Sequence, residues 1–413
     1  MSAADHNNRP TNPTGRSFLS YRRMRLDEAK LLIQAQHELG IPTWQDVKDL
    51  DEGLIAYNLR SVLDESNIAN AILWLTPEVE QSNYIRIESS KILERSRKND
   101  SFFVIPVAAG GLNLEQAKAI GSELLSYQDW KLSEVEYDPI QFQDAADIAK
   151  RVLELRIQAI HKTLPPSESL RMGLYTRNPP PEEYLPLNID WSHQFRERKA
   201  TSKAWNSHLL PALKTVADTL DRCAHGRRIV AHGACAIPAA VALGAAFLAP
   251  RGIKISWIQT KADLPDQEWS LGTPPVPSGF QSQTEGEDVN AKDLAVLVSV
   301  TDDVTTALKA SRPKLPAFRA VVTISKSGNI KHDDLTEPGH ATHLARTVFE
   351  AIRYACNEYS IGGKIHLFMA APAGLAMLIG QLLNTLKLVQ TYEFFRGEGP
   401  DTYRPAALLR PSF

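Results

Sequence analysis

Short apolar runs of strand length alternate with helix-period segments along this chain, in two successive sets separated by clustered prolines. A run that is apolar on both faces needs cover on both, which open α/β folds supply with helices above and below a mostly parallel sheet. In the first set, Ser17-Phe18-Leu19-Ser20-Tyr21 reads as a strand. Leu26 to Leu39 reads as an amphipathic helix, with Leu31, Leu32, Ala35 and Leu39 on one face and Gly40 as its stop. A strand over Ile41 to Val47, a polar loop over Lys48 to Gly53 and a helix through Leu63 follow. Ala71 to Leu75 and Phe102 to Val107 are the next buried strands, with helices over Leu114 to Leu125 and Asp144 to Ile160, the latter with Ile148, Val152, Leu155 and Ala159 in register. The expectation is a doubly wound α/β domain.

With 413 residues the chain is too long for one ordinary core, and 43% hydrophobic against 23% charged residues is a globular balance. A formal net charge of −2 provides no general drive toward DNA or acidic membranes, so a polyanion would have to meet a local basic patch. The three cysteines, Cys223, Cys235 and Cys356, have no metal-ligand spacing and argue for a reducing cytoplasm. Met1 to Gly15 is polar and is expected to be a loose tail, without a basic-then-apolar leader. The longest apolar run, Cys235 to Ala249, is alanine-rich, carries Pro238 and is short of a membrane span, so a buried helix is expected there.

The stretch from Ala71 to Glu88 carries the chemistry of the first half. An apolar strand ends at Thr76-Pro77, a short polar loop follows, and a helix begins near Ser82, whose hydroxyl can cap its first turn. Tyr84 and Glu88, four residues apart, then share a helix face at the carboxyl-end rim of the sheet, where open α/β folds place ligands. Taken alone, Glu88 reads first as a solvated helix carboxylate, the commonest fate of a glutamate.

Strand, Thr76-Pro77, Ser82, Tyr84 and Glu88 resemble the third strand and following helix of TIR domains that hydrolyse NAD, and the resemblance spans about Gly15 to Lys162. Phe18-Leu19-Ser20-Tyr21 is similar to that family's first-strand signature. Two departures stand out: Tyr84 where tryptophan is commoner, and Arg22-Arg23 where a small or acidic residue is frequent. The resemblance implies a flavodoxin-like parallel sheet, catalysis by Glu88, and contacts to NAD from Ser20, Tyr21, Arg22, Trp44, Asp46 and Tyr84. NAD enters as substrate, and no cofactor or metal is expected. Nicotinamide is a good leaving group, so the barrier lies in the oxocarbenium-like charge on the ribose, which a carboxylate stabilises.

Beyond Pro165-Pro166 and Pro179-Pro180-Pro181, which suggest a semi-rigid spacer over 164–181, strands and helices alternate again. Strands are expected over Leu185 to Trp191, Arg228 to Ala231, Ile253 to Ile258, Leu294 to Val300, Ala320 to Ile324 and Lys364 to Met369. Helices are expected over Ser202 to Cys223, Pro238 to Leu248, His340 to Tyr359 and Ala373 to Leu388, with a proline- and glycine-bearing loop after Ile258. Two such sets suggest fused Rossmann-like halves with a cleft between them. The run Lys364 to Ala376, with Ala370-Ala371-Pro372-Ala373, Gly380, Tyr392-Glu393 and Tyr403, resembles the SAVED domain over about Leu170 to Phe413. That family is similar to two CARF sensor units in one chain and binds cyclic oligonucleotides in bacterial antiphage (CBASS) defence. Small residues at His232-Gly233-Ala234, Ser299-Val300-Thr301 and Ala371-Pro372-Ala373 would let backbone amides at helix starts approach phosphates, with Arg198, Lys199 and Lys203 as candidate basic partners. The cluster His332, Asp333, Asp334, His340 and His343 reads as a loop and helix start rather than a metal site, and Cys235 as a packed residue rather than a reactive thiolate.

Together the resemblances imply a tail over 1–14, a TIR domain over 15–163, the spacer, and a SAVED domain over 182–413. A cyclic oligoadenylate, expected to be the cyclic tri-adenylate made by a partner CD-NTase, would drive copies into an oligomer or filament. In that assembly the Lys48 to Gly53 loop of one copy completes the NAD site of the next. A ligand-gated scaffold without enzymatic activity is the alternative, and neither DNA nor membrane binding is expected.

Overall fold

The computed structural model describes residues 11–21, 25–44, 67–81, 83–98, 101–126, 139–181, 185–195, 200–248, 253–261, 264–326, 335, 337–395 and 402–410. The chain divides into two compact units, the first comprising 1–168, 181–189 and 222–224, the second 169–180, 190–221 and 225–413.

In the first unit, β1 (Arg16–Ser20), α1 (Leu26–Glu38), β2 (Thr43–Trp44), β3 (Ile68–Leu75), α2 (Asn83–Lys98), β4 (Phe103–Ala108), α3 (Leu114–Ser126), β5 (Ile140–Gln141) and α4 (Ala145–Thr163) follow in sequence. The strands are all parallel in the order β2-β1-β3-β4-β5. This is the flavodoxin-like order, which reverses direction between β1 and β3. All eight residues of β3 are buried, as the central strand of a sheet covered on both faces must be. Even its Asn70 is buried, donating to Ser17 Oγ at 2.8 Å.

Several expectations need correction here. On α1 the buried face is Ala29, Leu32, Ile33 and Gln36, and Leu31 is 57% exposed, so the register is rotated from the expected one. A 3₁₀ turn over Pro77–Gln81 replaces the polar loop, and Ser82 lies outside the described residues. Residues 11–14 are not a loose tail: Thr11 is buried and takes a hydrogen bond from Arg95 at 3.2 Å. On α4 the buried face centres on Arg156 rather than Leu155. The Arg156 guanidinium donates to the carbonyls of Thr14 and Gly15 at 2.6 Å and of Pro186 at 2.9 Å, which ties the chain start and residues 185–186 to α4. Burial pulls its pKa down to about 9, still well above neutrality, so it stays charged and its cost is met by these carbonyls. The helix expected from the 48–53 loop through Leu63 lies outside the described residues.

The second set opens with β6 (Leu170–Tyr175), which lies in the expected spacer: between the two proline clusters the run Leu-Arg-Met-Gly-Leu-Tyr is buried at all positions but Arg171. After β7 (Leu187–Asp190), a helical turn at Ser202–Ala204 and a π turn at Trp205–Leu209 lead into α5 (Leu210–Cys223). Then come β8 (Ile229–His232), α6 (Ile237–Ala246), β9 (Ile255–Lys261), β10 (Leu264–Trp269), β11 (Phe280–Gly286), β12 (Asp293–Ser299), α7 (Val304–Ser311), β13 (Phe318–Lys326), α8 (Pro338–Glu358), β14 (Ile365–Ala370), α9 (Ala373–Leu382), β15 (Val389–Phe395) and β16 (Thr402–Leu409). The expected loop after Ile258 therefore contains two strands. β10 was hidden by Pro265 and its polar content, and β11 exposes most of its side chains as an edge strand. Helix α7 was also missed; its start is capped by the Asp303 side chain, which accepts from Thr305 N at 3.0 Å.

The second unit contains one motif twice. One sheet has the order β10-β9-β8-β6 within this unit, and the other has β16-β15-β14-β12 continued by β13 and β11. In each, two central parallel strands are followed by an antiparallel edge pair, and the registers correspond: Leu170 pairs with Ile229 and Ile229 with Ile255, as Leu294 pairs with Ile365 and Ile365 with Val389. The helices that follow the equivalent strands β8 and β14 cross each other. At the crossing, a Cβ on Gly244 would sit 2.0 Å from Met377 O, and one on Gly380 would sit 2.1 Å from Val241 O. The contacts are reciprocal, as a local two-fold requires, and each is made to backbone that no rotamer change can move. Gly244→Ala and Gly380→Ala should each destabilise the protein by about 3 kcal/mol, read as a lower thermal midpoint. Gly362→Ala, with open space around the added methyl group, should be close to neutral.

Candidate functional sites at the strand ends

In the first unit, Ser20 is the last residue of β1 and is buried, while Glu88 lies on the second turn of α2 and is half-buried. The Ser20 hydroxyl donates to Glu88 Oε2. A carboxylate is thereby held at the carboxyl ends of β1 and β3, the point where the strand order reverses and where open α/β sheets leave a crevice. A second polar group lies at the same rim. Arg25, after β1, donates to Glu78 at 2.8 Å and to Glu28 at 3.3 Å, and Trp74 Nε1 donates to Glu28 at 3.2 Å. The Thr76 hydroxyl, aided by Arg25, holds the Glu78 carboxyl below the ordinary glutamate range, and Glu78 in turn raises Arg25. The sequence reading missed this group, although Arg25 and Glu78 each follow a predicted strand within a few residues.

Of the other residues expected around NAD, Tyr21 is half-buried directly after β1. Trp44 stacks on Phe18, with ring centroids 5.3 Å apart, and packs against the core. Arg22, Asp46 and the side chain of Tyr84 lie outside the described residues.

In the second unit, the loop after β8 passes directly over β6. Gly233 has φ +140°, and a Cβ there would meet Leu174 O at 2.2 Å, so only glycine fits. Thr176 fastens the loop, accepting from Ala236 N at 2.8 Å through its hydroxyl. His232 is half-buried, edge-on to Tyr175. On the equivalent side, Thr301 N donates to Ala370 O at 2.9 Å, which brings Ser299-Val300-Thr301 beside Ala371-Pro372-Ala373. The Ser299 hydroxyl accepts from Val304 N at 3.2 Å and so serves the start of α7. Pro372 is the N-cap of α9, and the amide of Gly374 donates to Gln259 Oε1 at 3.1 Å. Lys203 is exposed on the turn whose Ser202 hydroxyl donates to Pro405 O at 3.3 Å. Arg198 and Lys199 lie outside the described residues.

Burial pushes the Cys235 thiol up to about 12, against the opposing pull of Arg177, so it is a neutral packed thiol. His343 Nδ1 lies 3.3 Å from Ser278 Oγ, and 332–334 are outside the described residues. Among the described residues, no three His, Cys, Asp or Glu side chains are grouped to hold a metal ion, and no helix is long and apolar enough to cross a membrane.

Residues 212–409 match the SAVED family model, described as an SMODS-associated sensor domain fused to various effectors. The match begins within α5, so β6, the strand that opens the second unit's first sheet, precedes it. Two solved structures of the Acinetobacter baumannii Cap4 SAVED/CARF-domain containing receptor are similar in fold. The one with the cyclic trinucleotide 2'3'3'-cAAA has 17% identity and a TM-score of 0.50 over 88% of this chain and 87% of that one. The one with 3'3'3'-cAAA has 16% identity and a TM-score of 0.50 over 95% and 100%. No curated protein matches.

The depressed Glu78 pKa gives a signed prediction. A carboxyl whose folded pKa lies below its unfolded value contributes stability above the unfolded value and loses it as pH falls through the folded one. Glu78→Gln should therefore lower stability at neutral pH and flatten the acid limb of a denaturation midpoint measured against pH.

Proposed function

We propose that the chain is a two-part effector of antiphage defence in which a cyclic oligoadenylate bound by the second unit switches on NAD hydrolysis in the first. The observation that carries the enzymatic half is the Ser20–Glu88 hydrogen bond at the carboxyl ends of β1 and β3. In this reading the Glu88 carboxylate faces the ribose of NAD and stabilises the positive charge that grows on C1′ as the bond to nicotinamide breaks. Nicotinamide leaves with the bonding pair, which neutralises its ring, and water adds at C1′ and releases a proton to solvent to give ADP-ribose. Ser20 fixes the carboxylate's orientation, because its hydroxyl donates to Glu88 Oε2. Activation requires assembly: a ligand that binds the assembled state better than the monomer draws copies together, and residues 48–53 of one copy complete the site of the next.

The sensor half is supported by the SAVED match, by the duplicated sheets, and by a fold shared with receptors whose structures hold a cyclic trinucleotide. Backbone amides after β8 and β14, with Lys199 and Lys203, would take its phosphates, and a CD-NTase would supply it.

Nicotinamide release and particle size are measured together while purified protein is mixed with NAD and cyclic di-, tri- and tetra-nucleotides. Release should rise steeply with protein concentration once cyclic tri-adenylate is present. Glu88→Gln should abolish release and leave ligand-induced assembly intact, and Ser20→Ala should slow release about tenfold, the worth of one charge-assisted hydrogen bond. Wild-type protein that assembles with ligand and leaves NAD untouched would make the first unit a scaffold instead.

A further inference from the structure

Glu393 is a carboxyl that the duplicated fold sets at the position of an engaged side chain in the other half. It stands four residues beyond Val389, the β15 residue paired with Ile365, as Gln259 stands four residues beyond Ile255, the β9 residue paired with Ile229. The two positions are therefore equivalent in the two halves. Gln259 is engaged: its side-chain oxygen takes the amide of Gly374, the second residue of α9. The second residue of α6 is Pro238, which has no amide hydrogen to donate. Among the described residues nothing donates a hydrogen bond to the Glu393 carboxyl, although the residue is half-buried.

The surroundings of Glu393 include α6 and the residues that follow β6 and β8. Its side chain leaves β15 on the face opposite Tyr392, which belongs to the aromatic cluster under α7, and α6 packs on β15 and β16. Arg177, just past β6, acts electrostatically on both Glu393 and Cys235, which places Glu393 near the loop that follows β8. From β16, the residue opposite Glu393 is Arg404, exposed and stacked over Phe395. α6 itself carries no titratable side chain. Beside loops proposed above to take phosphates, a carboxyl is a poor phosphate contact, and its natural partner on a nucleotide is a base.

We propose that Glu393 reads an adenine of the bound cyclic oligonucleotide, donating its carboxyl proton to a ring nitrogen while its second oxygen accepts from the exocyclic amine. This rests on the sensor reading above. A protonated carboxyl offers one donor beside one acceptor, complementary to adenine, whereas an ionised one offers only acceptors and suits the two adjacent donors of guanine. Burial pushes Glu393 up to about 7, with Arg177 pulling the other way, so the proton needed is held near neutrality.

The test is calorimetric titration of the full chain with cyclic tri-adenylate and with the cyclic tri-purine ring that lacks the exocyclic amines. Titrations are run at pH values about one unit below and above 7. Wild-type affinity for cyclic tri-adenylate should fall as pH rises, because the proton that donates to the ring is lost. Glu393→Ala should weaken tri-adenylate binding about tenfold, the scale of a bidentate base contact, and weaken tri-purine binding by a clearly smaller factor, because that ring keeps the nitrogen acceptor and lacks the amine. Glu393→Gln, whose amide also pairs one donor with one acceptor, should keep tri-adenylate affinity and lose the pH dependence. Equal losses for both rings in Glu393→Ala, unchanged binding of both, or a pH slope that persists in Glu393→Gln would each overturn the inference alone. Wild-type protein that binds neither ring would overturn the sensor reading as well.

Discussion

Two glycines hold the second unit in its form. Gly244 and Gly380 let the backbones of α6 and α9 touch where any other residue would drive a methyl group into a carbonyl oxygen. The alanine-rich faces around them are buried nearly throughout, so the crossing is both close and dry. Because these helices grow directly from β8 and β14, the distance between them sets how near the loops after those strands can come. In the proposed sensor, the backbone amides at these loops and the Glu393 carboxyl would serve one ligand only where the loops converge. The spacing of these two strand-to-helix junctions thus descends from two missing side chains.

The first unit rests on a different constraint. Its order of parallel strands opens a crevice at β1 and β3, and the fully buried β3 leaves the polar work to the residues that follow the strands. Ser20 and Glu88 meet there across 68 residues of sequence. Arg25, Glu28 and Glu78 form a separate ionic group at the same rim. Elsewhere, Arg156 supplies hydrogen bonds to backbone that no sheet or helix serves, which is why a charged residue can occupy the buried face of α4. Removing its guanidinium would strand several carbonyls at once.

Elements with strong periodicity were legible in the chain itself. The strand over Ala71 to Leu75 and the helices beginning near Leu114, Asp144 and Ala373 stand within a few residues of where their patterns put them. Elements whose side chains do not alternate cleanly were not: β10 carries Pro265, β11 is polar on both faces as an edge strand, and β6 sits between proline clusters that suggested a spacer. Helix phase was also ambiguous, since Leu31 looks like a core residue until its neighbours Ala29 and Ile33 are seen to be the buried ones.

By itself the sequence determined the α/β class, the doubling of the pattern and the positions of the strand-to-helix junctions, because local periodicity and turn chemistry are properties of neighbouring residues. Only the tertiary structure decided which junctions face one another. The Ser20–Glu88 contact, the reciprocal glycines and the equivalence of Gln259 with Glu393 all join residues far apart in the chain. Their meeting depends on sheet order and helix crossing, which are set by packing over the whole unit and leave no mark in any single stretch.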